Sequence, residues 1–437
     1  MILFDWLYLQ SAKVCSMKKI FFSFVVFTTP LISQAAGFAL IEQNASGMGN
    51  AYAGGSAIAE DASTIYFNPA GMAYIQGMQA VGALHLINPN AEFNNKGSVA
   101  ADFPGPAPAR PLGDEGPNAG DLAFVPNFYF KMDLTDSVKL GVGVNAPFGL
   151  KTEYDRKWVG RFQADKSEVK TININPSIAF KVNDQLALGF GVSAMRAEAT
   201  LSRAINVGLA ESSVEIKGND WGFGFNLGAI FQATADTRIG VAYRSKVEQH
   251  LDGRSKSPFT ALNANPTRTL NTGVKADVTL PENFSVSAFS HVNDTWDLMG
   301  DVTWTRWSQL EELRILRDNG STLAVTPENW NNTLRYSVGV NYIYSDAIKL
   351  RAGLAYDEEA ISDKFRTARI PGNDRKWLSL GAGWQVTPAS KLDIGYSHLF
   401  ISDAKIDDNQ IATGNGRLRG DFEGSVDILS MQYTHNF

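Results

Sequence analysis

Cysteine is nearly absent from this chain. Its single Cys15 lies upstream of the N-terminal apolar run, so the body has no disulfide framework. Charge is scarce as well: Asp, Glu, Lys and Arg make up 19% of the chain, with a formal net charge of −6. That balance excludes general nucleic-acid binding, which needs a basic surface. Long hydrophobic runs are missing after the N-terminus. Their absence excludes a bundle of membrane helices, each of which needs about 18 or more apolar residues. Histidine is limited to His85, His250, His291, His398 and His435, none in a nucleophile-elbow or HExxH setting. Yet the 437 residues are 44% hydrophobic, with 39 Gly, 26 Phe, 13 Tyr and 9 Trp. A chain this apolar and aromatic is not disordered.

The N-terminus supplies a compartment. Met17-Lys18-Lys19 is followed by the apolar run Ile20 to Ile32 and by Ser33-Gln34-Ala35-Ala36. A basic start, an apolar core and small residues form a secretory signal peptide. Residues 1–35 therefore read as leader and signal peptide, with Met17 as the expected start and cleavage after Ala35.

Beyond Met78 the apolar residues alternate. Leu122, Phe124, Phe128, Phe130, Met132 and Leu134 share one face, opposite Ala123, Val125, Asn127, Tyr129 and Lys131. Ile239, Val241, Tyr243 and Val247 oppose Gly240, Ala242, Arg244 and Lys246. Ile348, Leu350, Ala352, Leu354 and Tyr356 oppose Lys349, Arg351, Gly353 and Ala355. Side chains alternate across a strand, so each segment has one apolar face. The segments run to about ten residues, the length a tilted strand needs to cross a bilayer. Short polar turns at 135–137, 183–185, 235–237, 293–295, 345–347 and 387–390 alternate with long polar stretches at 92–120, 151–167, 204–218, 250–272, 309–331, 358–374 and 402–423. Six short turns and seven long loops separate fourteen strands. In hydrocarbon an open edge is not tolerated, so the sheet must close. The expected fold is an all-β transmembrane barrel of 14 antiparallel strands over residues 77–437, ending on Phe437.

Residues 36–76 do not alternate. They are rich in Ala, Gly and Ser and nearly uncharged. A periplasmic tail would be charged and poor in apolar residues; this composition suits a small helical hatch plugging the lumen.

Here the sequence resembles the FadL family of outer-membrane long-chain fatty acid and hydrocarbon transporters. The resemblance rests on Ala36-Gly37-Phe38, Gly47-Met48-Gly49-Asn50-Ala51-Tyr52-Ala53-Gly54, Ala57-Ile58-Ala59-Glu60-Asp61-Ala62 and the hatch motif Asn68-Pro69-Ala70. Asn219 to Asn226, Tyr243-Arg244-Ser245, Leu280-Pro281-Glu282, Trp307-Ser308-Gln309 and Ile370 to Ser379 extend it through the mature chain. It implies passive, ligand-gated diffusion of long-chain fatty acids across the outer membrane of a Gram-negative bacterium. No cofactor or metal is implied. The implied surroundings are outer-membrane lipid and lipopolysaccharide, with insertion by the barrel assembly machinery, as a monomer.

The family pattern also implies site residues. Arg203 and Arg314 fall where the family places basic groups of an inner site, with Arg317 as the alternative to Arg314. Arginine can grip a carboxylate with two parallel hydrogen bonds. Ile205, Val207, Leu209, Phe259 and Leu262 are candidates for an outer capture groove. Ala146-Pro147-Phe148-Gly149 matches a kink in the third strand through which substrate leaves sideways into lipid. Proline cannot donate to a strand ladder, so this tetrapeptide is either that kink or a plain strand end.

Rival chemistry is weak. Ser397 and His398 are adjacent in a strand and point to opposite faces, a poor catalytic pair. Gly189-Phe190-Gly191 lies within a strand with no following helix, so it reads as small inward residues rather than a dinucleotide loop. Asp407-Asp408-Asn409 reads as a solvated acidic loop. The chain is therefore not expected to be an enzyme. Two alternatives stay open: uptake of uncharged aromatic or aliphatic hydrocarbons, and a surface receptor or adhesin without transport.

Overall fold

In the computed structural model the described residues are 37–102, 109–207, 210–258 and 269–437. The signal peptide and Cys15 lie outside them. Among these residues, twenty strand segments belong to one sheet. They make a closed barrel of 14 antiparallel spanning strands. The first, Gln79–Asn95, closes on the last, Gly416–Asn436, with pairing from Gln79↔Asn436 to Asn95↔Gly420.

Alternation decides which face meets lipid. On Ala123–Asp133, Val125, Tyr129 and Lys131 are fully buried, while Phe124 and Met132 are exposed. Leu350, Leu354 and Tyr356 face out, opposite buried Arg351 and Ala355. Leu429, Met431, Tyr433 and Phe437 do the same on the last strand. Such an outward apolar face is what a bilayer requires of a barrel.

Two expectations need correction. Val247 and Lys246 sit on the faces opposite to those their alternation assigns: Val247 is buried and Lys246 exposed. The seventh strand is interrupted at Ser245-Lys246, and its register against the sixth slips by one residue there, from Asn226↔Arg244 to Asn219↔Asp252. One extra residue flips every later side chain. Several stretches expected as long loops are also largely strand. Leu186–Val207 and Ala210–Gln232 form one tall hairpin, and Glu312–Arg317 with Thr322–Pro327 forms another.

The hatch packs on the inner wall. It holds two one-turn helices, Ala45–Met48 and Thr64–Phe67, and a 3-10 helix, Pro69–Tyr74. Asn44 caps the first by accepting from Gly47 N at 2.9 Å. Asn68 caps the third and also donates through Nδ2 to the carbonyls of Ser56 (2.7 Å) and Ala229 (3.1 Å). The wall opposite must be glycine. A Cβ on Gly228 would stand 1.8 Å from Asn68 Oδ1, and one on Gly189 2.2 Å from Ala70 N. The inward Gly189 is thus a docking surface for the hatch backbone.

Candidate functional site

Above the hatch, the fourth to eighth strands curve around an apolar cavity of about 120 Å³. Its walls include Val169, Ala199, Leu201, Ile216, Leu251 and Val278, and Leu310, Leu313 and Ile315 cover it. Two ionisable groups from the loops reach in, Glu328 and Arg369. Arg369 donates to carbonyl oxygens of Lys166 (3.1 Å) and Gln163 (3.3 Å) and to Ser167 Oγ (2.9 Å), all uncharged. Burial, reinforced by the nearby charge of Arg203, lowers its guanidinium to about 10, so it stays charged at neutral pH. Glu328 is buried and accepts from Trp330 Nε1 at 2.9 Å. Burial raises its carboxyl to about 7, against the smaller opposing effects of Trp330 and Arg369. It is therefore partly neutral at physiological pH and does not cancel Arg369.

The floor of this cavity is aromatic. Phe38 stands 5.1 Å from Trp307, 5.8 Å from Trp330 and 5.9 Å from Phe148, measured between ring centres. Gly37 makes this approach possible: it has φ +59, and a Cβ there would meet both indoles at 2.6 Å. Phe148 belongs to the tetrapeptide that breaks the third strand. That strand runs Val138–Asn145 and resumes as Gly149–Glu153. Its pairing with the second strand ends at Phe128↔Val144. Ala123 to Asn127 continue beside the first strand but have no ladder partner on the other side. Instead the chain start fills the gap: Leu40 N donates to Pro147 O (2.8 Å) and Gly149 N to Phe38 O (2.9 Å).

The expected site residues are dispersed. Arg203, on the tall hairpin, donates to Phe162 O at 3.2 Å and sits behind Arg369 rather than in the cavity wall. Arg314 is half-exposed on the outer hairpin and pairs with Glu312 at 2.6 Å. Arg317 is likewise on that hairpin, donating to Thr322 O at 2.8 Å. The structure does not bring Arg203 and Arg314 together. Ile205 is half-buried near the hairpin tip. Of the remaining groove candidates, Leu209, Phe259, Leu262 and the side chain of Val207 lie outside the described residues. Asn68, Pro69 and Ala70 form the capped 3-10 turn against the wall. Arg369, Glu328 and Trp330 escape sequence reasoning, although Arg369 immediately precedes the Ile370-Pro371-Gly372 segment that carries part of the resemblance.

Comparison with known proteins agrees with this geometry. Outer membrane protein P1 of Haemophilus influenzae is 33% identical over 405 residues, covering 84% of this chain and 86% of the relative. The long-chain fatty acid transport protein of Escherichia coli K12 is 28% identical, covering 92% and 95%. The crystal structure of a Pseudomonas aeruginosa FadL homologue superposes with a TM-score of 0.83 at 28% identity, over 92% of this chain and 100% of that one. The sequence profile described as "Outer membrane protein transport protein (OMPP1/FadL/TodX)" matches residues 26–437. A closed barrel, an internal hatch and a profile spanning nearly the whole mature sequence lead to one conclusion: the chain belongs to this family of Gram-negative outer-membrane transport proteins.

Proposed function

We propose that this protein passes long-chain fatty acids through the outer membrane. The observation that carries the reading is the apolar cavity with one charged Arg369 whose hydrogen bonds all go to uncharged oxygens. A fatty acid needs both parts. Each buried CH₂ is worth about 0.8 kcal/mol. The carboxylate needs a cation or donors once it leaves water. In this reading Arg369 holds the carboxylate and Arg203 adds positive charge from behind. Arg314, paired at the surface, acts at most on approach. The groove candidates Ile205, Val207, Leu209, Phe259 and Leu262 would collect substrate ahead of the cavity. Displacement of Phe38 from Trp307, Trp330 and Phe148 would then free the gap at Ala146-Pro147-Phe148-Gly149. Substrate would leave there sideways into lipid, with no nucleotide or metal required.

Uncharged hydrocarbons are the second reading, favoured by the aliphatic walls of the same cavity. One comparison separates the two: uptake of oleate and of toluene by the same cells carrying Arg369→Gln. A carboxylate site predicts about tenfold slower oleate uptake with toluene unchanged. Equal oleate uptake by variant and wild type would remove the carboxylate role. Loss of neither substrate in a deletion strain would point to the receptor role.

A further inference from the structure

Beneath the aromatic floor lies a second chamber, of about 110 Å³, between the hatch and the barrel wall. We infer that it is a second carboxylate station, with the guanidinium of Arg335 as its cation. The inference rests on the fatty-acid reading above and adds a site to it.

Arg335 lines the chamber and is 6% exposed. Its Nη2 donates to Ala51 O at 2.7 Å, yet Nε and Nη1 have no hydrogen-bond partner in the protein. Its guanidinium lies over the Trp377 ring at 5.1 Å, and the Nε1 of Trp377, also lining the chamber, is unpartnered too. Buried donors without acceptors are costly and rare in native proteins. Four other charges lie in reach, and each is already engaged. Arg244 donates to Tyr66 O (2.8 Å) and Ser193 Oγ (3.3 Å). Asp301 accepts from Ser287 (2.5 Å) and Thr303 (2.8 Å). Asp357 faces Arg375 at 3.7 Å. Glu42 of the hatch, whose charge reaches Arg335, is raised by burial to about 7 and neutralises it only in part. The surplus is therefore one of donors, and it calls for an acceptor.

The chamber's position says which acceptor. Trp307 faces it from the aromatic floor, and Leu40, another lining residue, is hydrogen-bonded to Pro147 at the break in the third strand. A carboxylate crossing that floor without a second cation would face an apolar passage, which charge strongly disfavours. Arg335 supplies the next station, so the headgroup moves from Arg369 to Arg335 while the tail stays among apolar side chains.

The test uses the full-length protein, as purified barrel and in intact cells, with oleate and methyl oleate as probes. Arg335→Met is expected to slow oleate uptake about tenfold, the range of a hydrogen bond to a charged group. Equilibrium binding of oleate to the purified protein and uptake of methyl oleate should stay at wild-type levels. Arg335→Lys should recover part of the rate. If Arg335→Met fails to assemble, Trp377→Phe removes the neighbouring donor alone and should show a smaller loss confined to oleate. Unchanged oleate uptake by the Met variant, or an equal loss for methyl oleate, overturns the proposal. Arg369→Gln, run in parallel, separates the two stations. If it leaves oleate binding intact while Arg335→Met slows only oleate, the upper station falls and the lower one stands.

Discussion

The hatch meets the barrel wall along two seams of opposite chemistry. On one side Glu60 is held by Lys391 (2.7 Å), Arg351 (2.8 Å) and Lys349 (3.3 Å), and Arg351 and Lys391 also reach buried Asp393 at 2.9 and 3.2 Å. On the other side Phe38 sits among Trp307, Trp330 and Phe148, and two backbone hydrogen bonds tie the chain start to the broken strand. Separating buried charges leaves each uncompensated, so the ionic seam strongly resists opening. Aromatic contacts are less directional, and an apolar tail can replace them with contacts of the same kind. The difference assigns roles: one seam anchors the plug, and the other is where a hydrophobic ligand can compete with it.

Breaking the anchor should have the largest effect. Arg351→Met removes the cation shared by Glu60 and Asp393, both left in the lumen without it. Stranded buried charges cost about 3 to 5 kcal/mol. The expected outcome is a lower urea midpoint for the purified protein in detergent. An unchanged midpoint would mean that the ionic seam is hydrated and does not anchor the hatch. Phe38→Ala should act on the other seam only. Truncating a packed Phe costs about 3 kcal/mol at most, and here the loss is local. We expect a near-normal urea midpoint with raised ion conductance in planar bilayers. A midpoint as low as that of Arg351→Met would erase the distinction between the seams.

How far the sequence reveals this arrangement differs between wall and site. The wall is legible because lipid imposes a sign on every second residue, as in Leu350, Leu354 and Tyr356. It becomes illegible where that sign stops. The tall hairpin from Leu186 to Gln232 rises beyond the hydrocarbon, so its upper residues are polar on both faces and resemble loop. A single extra residue at Ser245-Lys246 leaves no composition signal, yet it reverses Val247. The hatch is legible from its small residues, since only glycine on the wall admits the backbone of Asn68 and Ala70. The cavity's cation is hardest to find. Arg369 comes from a loop far along the chain and meets Ser167 only through folding. The aromatic floor is likewise assembled from Phe38, Phe148, Trp307 and Trp330, none of them near neighbours in sequence.

The aromatic seam also carries a titrating group, which the ionic seam's tight pairing does not offer. Glu328, bonded to Trp330, is raised to about 7 by burial. Its folded value lies above the unfolded one of 4.5, so the folded state binds the extra proton between those values. Stability therefore falls as pH rises through that window. For the ligand, a neutral Glu328 leaves Arg369 to the carboxylate, and an ionised one competes for it. Oleate affinity should fall about three- to tenfold between pH 6 and pH 8, within one pKa unit's worth of interaction. Glu328→Gln should flatten that profile while keeping the acidic-limb affinity. A slope that survives in Glu328→Gln would place the titration elsewhere.

The smallest effect is expected outside both seams. Arg314 is 47% exposed and its partner Glu312 40%, so their pair is worth about 0 to 1 kcal/mol. Neither residue lines the apolar cavity. Arg314→Ala should leave the urea midpoint and oleate binding within error of wild type. Arg203→Ala should fall between Arg314→Ala and Arg369→Gln, because Arg203 acts on the ligand only through the field it adds behind Arg369. That ordering of oleate affinities follows from depth: charge is worth more where water is excluded and little where it is not. If Arg314→Ala instead weakens oleate as much as Arg369→Gln, the outer hairpin must fold down onto the cavity during transport. The contrast that matters would then be between hairpin and wall rather than between the two seams of the hatch.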